Sequence, residues 1–437
     1  MGDILQKEAV MQEAQSSEER QVLKSIKTGG HESALLSPAT EQQHTYDYYK
    51  KIFAGYPMPF AYVDLDLFEQ NIQQILTRAQ GKRIRLASKS LRSVAILQRI
   101  LASDSNFQGI MCYTAREALY LAAKGFTDLL LGYPIWNEQD ISAIAQATSE
   151  GARITLMIDS IEHVERIEAL AQRQGVSLPV CLEIDMSLNI PGLHFGVWRS
   201  PLRTPEQARP LIERILASHS VRLDGLMGYE AQIAGVGDNI PGQKMKNTLV
   251  RMLKRRSRQD VAERRAAFGA LVKTYGETLR FVNGGGTGSI AITAQENSVT
   301  EITVGSGFYA PMLFDYYQDF HYQPAAGFAI EIVRHPQPTI YTCSGGGYIA
   351  SGATGREKLP HPYLPAGVAL DPLEGAGEVQ TPIKYKGPVH LQLGDPVFLR
   401  HSKAGELCER FTQLLLVSHG SIIDEVTTYR GDGQCFS

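Results

Sequence analysis

The sequence predicts an α/β fold, a (β/α)8 TIM barrel followed by a C-terminal all-β domain, and three observations predict it. Short apolar runs alternate with amphipathic stretches of helical period across residues 57–322, as βα units require. The runs number eight over a length that suits such a barrel, whereas an open doubly wound sheet usually closes with fewer strands. After Phe320 the helical period vanishes, Gly and Pro become frequent, and short strand-like runs take over.

In chain order, residues 1–45 are polar and without periodic apolar positions, and predict an N-terminal arm with at most one short helix. The folded part is expected from near Tyr56. The barrel strands are predicted at Arg83–Ala87, Gly109–Cys112, Asp128–Gly132, Arg153–Ile158, Val180–Ile184, Leu223–Met227, Leu279–Val282 and Glu301–Val304. Helices between them include Ala115–Lys124, stopped by Gly125, and Ile161–Gln174, stopped by Gly175, with glycine where a helix end favours it. Residues 323–437 form the β domain, with strands expected at Ala329–Val333, Thr339–Cys343, Val389–Leu393, Pro396–Arg400 and Thr412–Val417. The segment Phe60–Leu65 precedes the barrel and is placed in that same lobe, so the chain begins and ends there. Lys244–Arg265 holds nine Lys or Arg against Asp260 and Glu263, and reads as one long solvated helix on the barrel rim.

Composition narrows the function. Of 437 residues, 43% are apolar and 20% charged, which excludes a wholly disordered chain. Lys and Arg total 43 against 46 Asp and Glu, so no one-signed field draws nucleic acid or an anionic membrane. No apolar run approaches the ~20 residues of a membrane helix and no signal peptide is visible, so the expected location is cytoplasmic. Five scattered cysteines without a C-x-x-C pair argue for free thiols.

Barrel active sites lie past the C-terminal ends of the strands. Lys89 stands there after the first strand, where an apolar mouth would favour its neutral amine, able to form a Schiff base; a plain surface lysine is the alternative. Asn283-Gly284-Gly285-Gly286-Thr287-Gly288-Ser289 follows the seventh strand. Its glycines let backbone amides converge, and Thr287 and Ser289 add hydroxyls, which suits a phosphate, though an unliganded glycine turn has the same composition. Tyr229, Glu230 and Gln232 stand past strand six, and Glu183 and Asp185 at the end of strand five, where they would orient a ring or serve as structural caps.

These features together resemble the fold-type III pyridoxal-phosphate enzymes, alanine racemase among them, and most nearly the D-threonine aldolase/D-serine dehydratase branch. Supporting motifs are Pro59–Asp66, Tyr113–Ala118, Leu130–Pro134 and Gly305–Tyr309 with Asp315. The resemblance covers about residues 57–430. It implies pyridoxal 5'-phosphate as cofactor, Lys89 as the Schiff-base lysine, and Tyr229, Gln232, Gly285, Gly286, Thr287, Gly288, Ser289 and Tyr309 as its contacts. It also implies a small amino-acid substrate and a head-to-tail homodimer. Metal-dependent members carry a His-x-Cys or His-x-Asp pair late in the β domain. Here His401, Glu406 and Cys408 are the nearest candidates and do not keep that spacing, which counts against a divalent metal. The family's arginine near the ring nitrogen cannot be aligned within the expanded 185–203 segment, which offers His194, Arg199 and Arg203. None of Tyr341, Tyr348 and Tyr363 matches the racemase tyrosine motif. The expected activity is therefore a lyase cleaving a D-configured β-hydroxy amino acid by retro-aldol chemistry, with His401 or His194 as base. Dehydration or deamination, racemisation and a non-catalytic cofactor carrier are the alternatives.

Overall fold

The computed structural model of the chain describes residues 45–436. The predicted arm, residues 1–45, lies outside the described residues except for Thr45. Folded structure begins earlier than the expected Tyr56: Thr45 caps a helix, Tyr46–Ile52, by accepting from the Tyr48 amide. Its buried Tyr46 and Tyr49 pack edge-on or tilted against Phe398 and Tyr62, so aromatic contacts rather than apolar periodicity hold it.

Eight parallel strands close a barrel: β2 (Arg83–Ala87), β3 (Phe107–Cys112), β4 (Leu129–Pro134), β5 (Ile154–Ile158), β6 (Leu178–Glu183), β9 (Val221–Gly228), β10 (Phe281–Gly284) and β11 (Glu301–Val304), with β11 returning to β2. Strands such as β5 and β6 are buried at every position, because helices cover the outside and side chains fill the inside; that is why they read as continuous apolar runs. The eighth-run count holds while the bounds shift. β10 starts at Phe281 rather than Leu279 because Arg280 turns to the carboxylates of Asp224 and Asp128 at the N-terminal end of the barrel. The outer helices are capped as their sequences dictate: Thr114, Ser160 and Thr204 each accept from the third residue of the following helix. Gly125 and Gly175 take φ of +88° and +65° just past two of them.

A second sheet carries β1 (Phe60–Asp64), β12 (Ala326–Gln337), β13 (Ile340–Ser344), β14 (His361–Leu364), β15 (Ala369–Leu370), β16 (Gln380–Lys384), β17 (Pro396–Arg400), β18 (Gln413–Ser418) and β19 (Ser421–Thr427). β1 pairs antiparallel with β12 and parallel with β18, so among the described residues the first strand lies between two late ones. The expected strand Val389–Leu393 is instead a turn: Asp395 accepts from the Gln392 amide and Gly394 adopts φ +90°, which reverses the chain into β17. A small hairpin, β7 (Leu188–Ile190) with β8 (Leu193–Phe195), stands in the loop after β6.

The basic segment is one helix, Lys244–Thr274, but it is not wholly solvated. Lys254 is buried against Asp238 at 2.7 Å, and Arg265 is completely buried between Glu230 and Glu296. Among the described residues no helix is long and apolar enough to cross a membrane.

Candidate active site

A cavity of about 330 Å³ opens at the C-terminal ends of the barrel strands, within the ~300–1,000 Å³ range of small-ligand sites. Lys89 reaches it from a 3-10 turn, Ser88–Ser90, that directly follows β2. Three neighbours fix that turn. Ser88 donates to the Met111 carbonyl at 2.9 Å, Ser90 meets the Ser306 hydroxyl at 3.2 Å, and Arg92 Nε donates to the Lys89 carbonyl at 2.9 Å. Gly405 lies so close behind that a Cβ there would stand 2.7 Å from the Lys89 carbonyl oxygen. The backbone is thus pinned while the side chain is exposed to the cavity, not desolvated as the strand-end position suggested.

Lys89 Nζ donates to the Tyr133 hydroxyl at 3.1 Å. Burial alone would raise that phenol's pKa, but the charges of Lys89 and then Arg199 outweigh it and hold Tyr133 below the usual tyrosine range. Arg199 comes from the segment after β6. Its Nε pairs with Glu183 at 2.5 Å, a second nitrogen donates to the Gly132 carbonyl at 2.8 Å, and its guanidinium lies 4.9 Å from the Tyr133 ring and 5.7 Å from the Tyr229 ring. Burial pushes Glu183 up to about 7 despite Arg199, with Asp159 and Asp185 adding to the rise. Behind the Lys89 turn, burial also raises Glu117 to about 7, while bonds from the Tyr113 amide and the Tyr429 hydroxyl oppose it.

Across the cavity, Gly285, Gly286 and Thr287 form the wall after β10. Gly285 has φ +83°, a conformation that favours glycine. A Cβ on Gly286 would come within 2.8 Å of Ala234 and 3.2 Å of the Tyr229 ring. The wall is braced from below by the buried Glu230. Its carboxylate accepts from the Gly285 amide at 3.0 Å, Ser289 at 2.7 Å and Thr293 at 2.5 Å, and it pairs with Arg265. Burial raises the Glu230 pKa, but Arg265 and these donors prevail and keep it low. A bulky side chain at Gly286 has nowhere to go but the cavity or Ala234. Gly286→Leu is therefore expected to weaken retention of pyridoxal phosphate at least about tenfold while lowering stability by only about 1–3 kcal/mol. Equilibrium dialysis alongside urea unfolding checks it.

The structure brings Lys89, Tyr229, Gly285, Gly286 and Thr287 to one cavity. The other expected contacts stand behind its wall. Gly288 donates its amide to the Ala234 carbonyl, and Ser289 is spent on Glu230. Gln232 donates to the Met186 carbonyl at 2.6 Å, and the fully buried Tyr309 donates to the Leu91 carbonyl at 3.2 Å. The three metal candidates do not converge, and among the described residues no group of three His, Cys, Asp or Glu is placed to hold an ion. His401 is buried edge-on to Tyr309 and pushed down to about 3 by burial and then Arg400; Cys408 faces the Leu91 carbonyl; Glu406 accepts from the Ser351 amide. His194 stacks on the exposed Trp198 in the outer hairpin segment, and Arg203 pairs with Asp185. Of the two arginines in the 185–203 segment, Arg199 lines the cavity. Lys358 and Lys403, from the terminal lobe, also line the cavity and had no sequence signal beyond being lysines.

An amine on a fixed turn, a wall of small residues with a hydroxyl at Thr287, and aromatic sides from Tyr133 and Tyr229 fit a flat, phosphorylated aldehyde cofactor. Comparison with known proteins agrees. The 3-hydroxy-D-aspartate aldolase of Paracoccus denitrificans (strain Pd 1222) is 26% identical over 260 residues, 59% of this chain, and the match spans 61% of that relative's length. The D-threonine aldolase structure from Filomicrobium marinum superposes with a TM-score of 0.71 at 18% identity, covering 87% of this chain and 96% of that one. The D-threo-3-hydroxyaspartate dehydratase from Delftia sp. HT23 gives 0.65 at 19%, covering 85% and 98%. Residues 63–311 match the model of the alanine racemase N-terminal domain, and with more than half its length in that match the chain belongs to this family of fold-type III pyridoxal-phosphate proteins.

Proposed function

We propose that the protein is a pyridoxal-phosphate-dependent lyase that cleaves a D-configured β-hydroxy amino acid to glycine and an aldehyde. When bound, pyridoxal phosphate supplies the electron sink for the pair released as a bond at Cα breaks. Lys89 is the amine that would hold the cofactor, and Gly285, Gly286 and Thr287 would hold its phosphate, with Tyr229 beside them. The observation that carries the reading is the Lys89–Tyr133 pair: an amine and a phenol of lowered pKa within hydrogen-bond distance. Tyr133 is the group placed to take the β-hydroxyl proton as the Cα–Cβ bond opens, and Lys89 the group to share it. The histidines expected for this task, His401 and His194, are absent from the cavity wall.

Racemisation is disfavoured by where the terminal lobe keeps its tyrosines. Tyr341, in β13, and Tyr348, in the loop after it, are buried, the first stacked on His335 and the second packed on Phe328, and Tyr363 lies against Arg400. The names of the similar proteins, aldolases and a dehydratase of β-hydroxy amino acids, support lyase chemistry. The reading includes a homodimer, as the family resemblance implies. Incubation with D-threonine, D-serine and D-alanine tests the reaction. Acetaldehyde with glycine is expected; a keto acid with ammonia would mean dehydration, and L-alanine from D-alanine would overturn the lyase reading. In the same assay Tyr133→Phe is expected to lower kcat by about 10²–10⁴ with a smaller change in KM.

A further inference from the structure

Among the described residues, the charged groups that line the cavity are Lys89, Arg199, Lys358 and Lys403, with no Asp, Glu or His. Two of these cations have an assigned counterpart: Arg199 is matched by Glu183 at 2.5 Å, and Lys89 is the cofactor amine of the proposed reaction. Lys358 and Lys403 remain. Lys358 ends the 3-10 turn Arg356–Lys358 and Lys403 follows β17 by three residues, so both come from the terminal lobe. Their ammonium groups converge on Gly352, at 3.7 and 3.8 Å from where its Cβ would be. Lys403 Nζ is steered by the Ser351 carbonyl at 3.2 Å and hydroxyl at 3.4 Å. Among the described residues neither lysine forms an ion pair, and the carboxylate that Lys403 feels, Glu406, is held on the Ser351 amide outside the cavity wall.

Two cations side by side in a partly desolvated cavity repel each other. Burial, then Lys358, lowers the Lys403 pKa, and Lys89 adds to this, which sets the pair at the Lys89 end of the cavity. A ligand that relieves such a field is anionic. With the cofactor's phosphate assigned to Gly285, Gly286 and Thr287, the α-carboxylate of an amino acid accounts for one of the two lysine charges. The second is left for a negative group elsewhere on the same molecule. We propose that Lys358 and Lys403 form an anion subsite that selects β-hydroxy amino acids carrying a second carboxylate or equivalent anion on the side chain. The substrate part of this rests on the lyase reading; the preference for a dianion does not.

The test uses the cofactor-loaded full chain with two unreactive probes, succinate and butyrate, followed by isothermal titration calorimetry. Succinate is expected to bind at least about tenfold tighter than butyrate, as one extra charge-assisted contact provides. Lys358→Met and Lys403→Met, made separately so that one misfolded variant does not end the test, are each expected to remove about tenfold of the succinate affinity but less than about twofold of the butyrate affinity, because the lysine that remains still meets a single carboxylate. The ratio of kcat/KM for D-3-hydroxyaspartate over D-threonine should fall by a similar factor in each variant. Equal losses for both probes would assign the lysines to the α-carboxylate, and release of pyridoxal phosphate would assign them to its phosphate; either result, or no change, overturns the subsite. Succinate selectivity without cleavage of any β-hydroxy amino acid would instead overturn the lyase reading and leave the subsite standing.

Discussion

Lys89→Ala is expected to abolish turnover, by more than about 10³-fold, and to remove the near-visible absorption of the cofactor-loaded protein. The fold should survive. Lys89 is exposed, and its ammonium makes one hydrogen bond, to Tyr133, so truncation should cost within about 0.5 kcal/mol of stability. The measurement that decides is borohydride reduction followed by peptide mapping, because the cavity offers two rival amines, Lys358 and Lys403. Label on either of those would displace Lys89. What favours Lys89 is its backbone: a turn tied to β3 by Ser88 and to the segment after β11 by Ser90 delivers the amine to a fixed place.

Arg265→Leu is expected to be the most damaging single change to stability, costing about 3–5 kcal/mol in equilibrium unfolding, since it leaves the buried carboxylate of Glu230 without its cation. The same change should loosen the cofactor. Glu230 carries the Gly285 amide, Ser289 and Thr293, and a carboxylate driven to take up a proton loses one acceptor position for them. Arg265→Lys keeps the charge but not the fork that bonds the Gly228 carbonyl, Glu230 and Glu296 together, and should fall between. A loss below about 1 kcal/mol for Arg265→Leu would show that Glu230 is held by its hydroxyl and amide donors alone.

Arg265 also shows why part of the site was illegible. In the sequence it is one of nine cations in a helix that reads as a solvated face, and nothing local distinguishes the one that points inward beneath the glycine loop. Barrel strands such as β5 and β6 were legible for the opposite reason: buried on both faces, they are apolar at nearly every position. Strands such as β19, whose residues are mostly exposed, and β15, with two residues, carry no such signal. Lys89 and the glycine loop were found because barrel geometry says where to look. Arg199, Lys358 and Lys403 reach the cavity along irregular segments, whose path no periodicity encodes, and Tyr133 passed as part of a motif until its phenol was seen beside the lysine.

The place of β1 between β12 and β18 bears on how the chain is made. Tyr62 finds its partners at Gly327 and Leu415, so this strand waits until residue 415 has been made. At ~5–20 residues per second, that wait is on the order of tens of seconds. Throughout it, Phe60, Tyr62 and Val63 are an apolar segment with open backbone edges, a template for pairing with another nascent chain. Yield in a cell should therefore depend on holdase chaperones more than the finished protein's stability suggests. A C-terminal truncation before β18 should send the product to aggregates even though every barrel strand is present.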